Sequence, residues 1–210
     1  MKRTLLLTAL TLAALSGGVD AHFVLVSPPP SIMQNQLGDP QKVAPCGGVS
    51  ANPGRGTPAN PGVPTGAVTE MKGGTMFHLS VQETVFHPGH YRVALARTKE
   101  QLPPDPVVTT RDTDRGPQSV SAQIQNPAVA PVLADGVFPH TEKGTGMFET
   151  DITVPNLNCK NCVLQVIEFM AEHGKNADGD YSYHHCAAVN ITADMSKPLD
   201  NRWPEARASR

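Results

Sequence analysis

Proline and glycine break this chain at such short intervals that no long helix is expected in it. They make up 38 of its 210 residues, 20 prolines and 18 glycines, against roughly 12 % for the pair in average usage. Proline removes an amide donor, and glycine weakens any element it interrupts. Between the breaks lie short stretches in which apolar and polar residues alternate, as half-buried strands do. Residues 22–27 (HFVLVS) stop at Pro28-Pro29-Pro30. Residues 75–81 set Phe77, Leu79 and Val81 on one face, and residues 91–96 set Tyr91, Val93 and Leu95 in register. Residues 148–154 and 187–193 read the same way, and a short strand near 119–124 interrupts a long Pro-, Asp- and Thr-rich connection over 100–146. The strongest apolar run, 163–170, fits a buried strand, with a helix as the alternative that periodicity alone does not settle. About seven short strands separated by turn signals predict an all-β fold, an antiparallel β-sandwich with long loops. The length suits one domain of ordinary size.

The beginning of the chain is of another kind. Lys2 and Arg3 precede an apolar run over 4–15 that is too short to span a bilayer comfortably. Val19-Asp20-Ala21 then offers small residues for cleavage. Residues 1–21 therefore read as a secretory signal peptide cut after Ala21, and a retained membrane anchor is the weaker reading. The expected product starts at His22, is soluble and carries no membrane segment. It works in the periplasm or outside the cell. Removing Lys2, Arg3 and Asp20 leaves 15 basic and 18 acidic residues, a net of −3. A weakly acidic chain with no basic run is excluded as an electrostatic binder of nucleic acid.

Export places Cys46, Cys159, Cys162 and Cys186 in an oxidising compartment, where an even count implies two disulfides with three connectivities to choose from. Cys159-Lys160-Asn161-Cys162 has no second ligand pair for zinc and no strand-then-helix context for redox work. A short disulfide pinning a turn is preferred, and Cys46 to Cys186 follows by elimination. Residues 22–194 are expected to form the domain, and 195–210 a loose polar tail. Residues 50–66 are low in complexity, with ANPG at 51–54 and again at 59–62, and are read as an exposed loop. The run Asn176 to Asp180 is read as a solvated turn, since it lacks the distant bidentate glutamate of a calcium loop.

A search for chemistry finds no GxSxG, P-loop, HExxH or strand-linked GxGxxG. Histidine placement remains. Of eight histidines, His22 becomes the first residue after cleavage. A histidine there offers two nitrogens, its amino group and its ring, which together close a chelate. With a second imidazole the set holds three nitrogens, which suits copper, an ion that takes nitrogen ligands in tetragonal geometry.

Five stretches extend this pattern along the chain. They are Ala21-His22-Phe23, Pro45-Cys46-Gly47-Gly48, Phe86-His87-Pro88-Gly89-His90-Tyr91, Cys159 to Gln165, and Tyr181-Ser182-Tyr183-His184-His185-Cys186. In this combination and order the sequence resembles the lytic polysaccharide monooxygenases, most closely the secreted bacterial proteins described as polysaccharide monooxygenase-like. The resemblance implies an immunoglobulin-like sandwich with one copper ion in a histidine brace. It puts His22 in the place of the N-terminal ligand and His87, within His-x-Gly-x-aromatic, in that of the second, with His90 as runner-up. Tyr183, three residues before Cys186, takes the axial place. For the polar neighbour of the axial site it offers Gln165, Glu172 and His173, the last two being nearest by count. His184 and His185 fall outside the pattern, and His185 is kept as a candidate neighbour of the metal.

The implied function is oxidative C–H cleavage of a polysaccharide or other polymer. It would use oxygen or peroxide and an external small-molecule or protein reductant, and the protein is expected to be a monomer. A different class of function shares the same site: a brace that carries or buffers copper without oxidising a polymer.

Overall fold

The computed structural model describes residues 22–48, 62–176 and 180–203. The expected signal peptide, most of the 50–66 loop, residues 177–179 and residues 204–210 lie outside the described residues. Ten strands follow in chain order: β1 His22–Ser27, β2 Val68–Lys72, β3 Met76–Val85, β4 Gly89–Ala96, β5 Val108–Arg111, β6 Gln118–Ala122, β7 Val132–His140, β8 Met147–Thr153, β9 Cys159–Met170 and β10 Ser182–Thr192. There is no α-helix among the described residues. One sheet runs β1-β3-β8 and a second runs β2-β10-β9-β4-β7, while β5 and β6 form a separate hairpin. All pairings are antiparallel except β10 with β2. The expected all-β sandwich is thus the observed architecture, with one parallel edge strand added.

The core lies between the two larger sheets. Phe23 and Leu25 of β1 and Leu79 and Val81 of β3 meet Tyr91, Val93 and Leu95 of β4, Leu164 and Val166 of β9, and Tyr183, Ala187 and Val189 of β10. Cβ atoms alternate across a strand, so the neighbours of these residues point away from the core. On the large sheet that outer face is also buried. Arg92, Ile167 and His184, which lie side by side in register, are all nearly inaccessible. The excursion between β4 and β7 covers them. Arg92 donates to the Asp135 carboxylate and the Gln123 carbonyl, and His184 meets the Asp105 carboxylate at 2.9 Å. Burial on both faces explains why β9 reads as a continuous apolar run, and it settles 163–170 as strand. In β8, on the thinner sheet, exposed and half-buried positions alternate up to the buried Ile152.

The long connection over 100–146 holds three strands where the sequence predicts one. In β7, Asp135, Gly136 and Pro139 hide an edge strand, and Gly136 adopts φ +66°, a conformation most side chains resist. The disulfides are Cys46–Cys186 and Cys159–Cys162, as expected.

The expectation of a loose tail from residue 195 does not hold as far as residue 203. Asn156 donates to the carbonyls of Asp194, Lys197 and Pro198. Trp203 is 9 % exposed and its indole N–H donates to the Leu95 carbonyl at 2.8 Å. Polar composition concealed a single aromatic that closes the open end of the core. Trp203→Ala should therefore cost about 3–5 kcal/mol, the usual range for truncating a buried tryptophan, read as a lower urea midpoint.

Candidate metal centre

Register brings the distant histidines together. β1 runs antiparallel to β3 with His22 opposite Val85, so the start of β1 lies beside the end of β3, two residues before His87. The turn carrying His87 is held on both sides. Its amide donates to Glu83 Oε1 at 3.1 Å, and the Pro88 carbonyl accepts from the Ala171 amide at 2.8 Å. At Gly89 an added Cβ would collide with the Phe169 carbonyl oxygen, so only glycine lets the turn sit this close to β9. Just past β9, His173 donates its amide to Ser119 Oγ, while the Ser119 amide donates to the His173 carbonyl. Tyr183 enters from the start of β10. Four strand ends thus gather at one end of the sandwich. Ring centroids stand 5.3 Å apart for His22 and Tyr183, 5.7 Å for Tyr183 and His173, and 5.2 Å for His173 and His87. All four side chains are buried.

Hydrogen bonds set the tautomers. His87 Nδ1 lies 3.0 Å from the Ala171 carbonyl oxygen. A carbonyl only accepts, so Nδ1 carries the proton and the lone pair stands at Nε2. His173 Nδ1 likewise meets the Gly174 carbonyl. His22 is oriented the other way, with Nε2 at 3.3 Å from Asp39 Oδ2. A neutral ring that donates Nε2–H to a carboxylate presents its lone pair at Nδ1, on the side of its own backbone nitrogen. Carbonyl and carboxylate partners of this kind fix and strengthen ligating imidazoles. Burial pushes the Asp39 carboxyl up, but the hydrogen bond and charge of His22, with Lys42 and His185 adding to them, hold it below the ordinary range.

The segment before Cys46 frames the other side. Gly38 stands against the Phe23 carbonyl with no room for a Cβ, which sets Asp39 beside His22. Gln41 accepts from the Phe23 amide through Oε1 and from the His184 amide through its carbonyl. Lys42 Nζ lies 5.7 Å from the Tyr183 ring centroid. The Cys46–Cys186 bond ties this loop to β10 three residues beyond Tyr183. Asp39 and Lys42 sit in an irregular stretch with no motif, so the sequence alone does not single them out. The only cue was a carboxylate ahead of the cysteine joined to β10.

The other candidates lie elsewhere. His90 follows Gly89 onto the outer face of β4, where its ring meets Phe169 at 5.1 Å and burial lowers its pKa. Glu172 adopts φ +59° and turns outward to pair with Arg111 of β5. Gln165 donates to the Pro45 carbonyl at 2.8 Å. His184 points to Asp105 on the outer face. His185 faces inward beneath the site, its Nε2 at 3.0 Å from the Phe23 carbonyl and its Nδ1 without a hydrogen-bond partner. Burial drives its pKa down to about 4.

The gathered donors are three imidazoles, a phenol and, in a chain that begins at His22, an amine. No cysteine joins them, since all four are in disulfides. A nitrogen-rich, thiolate-free set of this kind fits a copper ion better than a hard oxygen-seeking cation. No helix among the described residues is long and apolar enough to cross a membrane. No family model matches the chain, and comparisons with curated proteins and with solved structures give no match.

Proposed function

We propose that the chain, exported and cut before His22, binds one copper ion through a brace made of the His22 amino group, the His22 ring and the His87 ring. The observation that carries this reading is the opposed pair of ring partners, Asp39 at Nε2 of His22 and the Ala171 carbonyl at Nδ1 of His87. Asp39 turns the His22 lone pair to Nδ1, within chelating reach of the amino nitrogen, and Ala171 turns the His87 lone pair to Nε2. Tyr183 flanks the site from β10 and His173 from the end of β9. Bound in this way, copper supplies one-electron redox chemistry toward oxygen or peroxide. The activity we attach to the site is oxidation of C–H bonds in a polysaccharide or other polymer, with an external reductant. The protein's own part is to hold the imidazoles fixed and to keep their rings from bulk water. Oxidised oligosaccharides in mass spectra after incubation with cellulose, chitin or xylan and a reductant test that activity.

A second reading, copper holding without polymer oxidation, has specific support. Sugar-binding faces stack on aromatic rings, yet none of the large exposed hydrophobic side chains among the described residues is aromatic, and all three tyrosines are buried. His173 also adds a third imidazole where an oxidase needs open coordination. Tight copper binding with neither peroxide production nor oxidised sugars decides for this reading.

Asp39→Asn removes the carboxylate behind His22 and leaves the fold's hydrogen bonds largely in place. Copper affinity should fall roughly 10- to 100-fold, the usual cost of losing an outer partner of a ligating histidine. Competition titration against a chelator of known affinity measures it.

A further inference from the structure

A second cluster lies deeper, between the two sheets. Glu83 of β3, His140 at the end of β7 and Glu168 of β9 each offer one donor atom, and these atoms all lie within 4.8 Å of one another. Glu83 Oε1 and His140 Nε2 are 3.1 Å apart. His140 Nδ1 stands 2.7 Å from the Phe138 carbonyl oxygen, so Nδ1 is the protonated nitrogen and Nε2 is the one aimed at the carboxylates. Glu168 is wholly buried, and neither of its oxygens has a hydrogen-bond partner. The hydroxyl of Tyr91, directly opposite Glu168 in the β4–β9 register, makes no hydrogen bond of ordinary geometry either, though it lies close enough to act on the Glu168 carboxyl. A buried carboxyl without an ordinary hydrogen-bond partner is costly to ionise unless a positive charge joins it.

We propose that Glu83, His140 and Glu168 form a second metal site, separate from the brace, that takes a divalent first-row ion such as zinc. One imidazole and two carboxylates make a mixed nitrogen and oxygen set suited to zinc. The ion's two charges balance the two carboxylates, so the buried assembly is neutral. Ligand atoms around tetrahedral zinc stand about 3.3 Å apart for bonds of roughly 2.0–2.1 Å, so donors that lie within 4.8 Å of one another must draw together on binding. The Phe138 carbonyl on the far nitrogen of His140 is the outer partner expected of a ligating histidine. His140 also lines a surface groove with Pro139, Thr141, His90 and Phe169. Without an ion, His140 is held charged by Glu83, up to about 9 despite its burial. Burial and the Glu83 charge then keep Glu168 protonated, up to about 8. The ion replaces those protons. Its role is to clamp the two sheets and to fix Glu83, whose Oε1 accepts the His87 amide.

The test removes the brace first, so that its outcome is independent of copper. The full-length exported chain carrying His22→Ala and His87→Ala is dialysed against zinc, washed with a weak chelator and analysed for metal. The expected result is one zinc per chain, falling at least about tenfold when Glu168→Gln is added. A crystal of the zinc-loaded protein should show anomalous density among the three side chains, which decides the matter even where Glu168→Gln disturbs folding. No retained zinc, retention unaffected by Glu168→Gln, or anomalous density elsewhere would each overturn the proposal and leave His140 as an imidazolium paired with Glu83.

Discussion

Replacing His87 with alanine is expected to lower copper affinity by more than about 100-fold, beyond the 10- to 100-fold typical of losing an outer partner alone, while His90→Ala should leave it unchanged. His87 presents Nε2 because Ala171 holds Nδ1, and its turn is fixed by Glu83 and Gly89. His90 is three residues away, but strand alternation carries it across the sheet. Its ring lies against Phe169 among residues that face the β5–β6 hairpin, so truncating it weakens packing rather than ligation. Copper titrations of both variants, each with an unfolding curve to exclude general damage, separate the two roles. Loss of affinity in His90→Ala alone would move the second ligand and leave the terminal chelate intact.

The second large effect concerns the frame around the site. Cys46→Ser combined with Cys186→Ser opens a loop with a sequence separation of 140 residues. Chain entropy puts the loss for so long a loop at about 5 kcal/mol. For a domain of this size that is roughly 10–20 °C in melting temperature. The loop freed by this change carries Asp39, Gln41 and Lys42, so copper affinity should fall in the surviving folded fraction as well. Breaking Cys159–Cys162, which spans only three residues, should cost far less and leave copper binding intact. Calorimetry of the two double variants checks the contrast.

Much of the sandwich was legible because its strands alternate. Residues 75–81 and 148–154 show the period of two directly, since their sheet keeps one face in water. The run at 163–170 was ambiguous for a physical reason: both of its faces are covered, so alternation disappears. β2, β5 and β7 were missed because they are short or lie at sheet edges, where glycine, proline and charge are tolerated. The site was half legible. His22 could be found from the cleavage pattern and His87 from its turn, because both signals are local. The choice between Glu172 and His173 could not, because it depends on a single positive φ at Glu172 that swings one side chain to Arg111 and the next toward His87. Asp39 and the three residues of the deeper cluster are joined only by register and loop packing, to which a linear reading has no access.

The proposed brace depends on a free amino group at His22. The most direct measurement is a parallel copper titration, followed by electron paramagnetic resonance, of protein beginning at His22 and of protein retaining one extra residue before it. An additional residue turns the amine into an amide and removes the chelate. The processed form should bind far more tightly and give a type-2 signal with nitrogen couplings that the extended form lacks. Equal affinity and identical spectra in the two forms would contradict the brace.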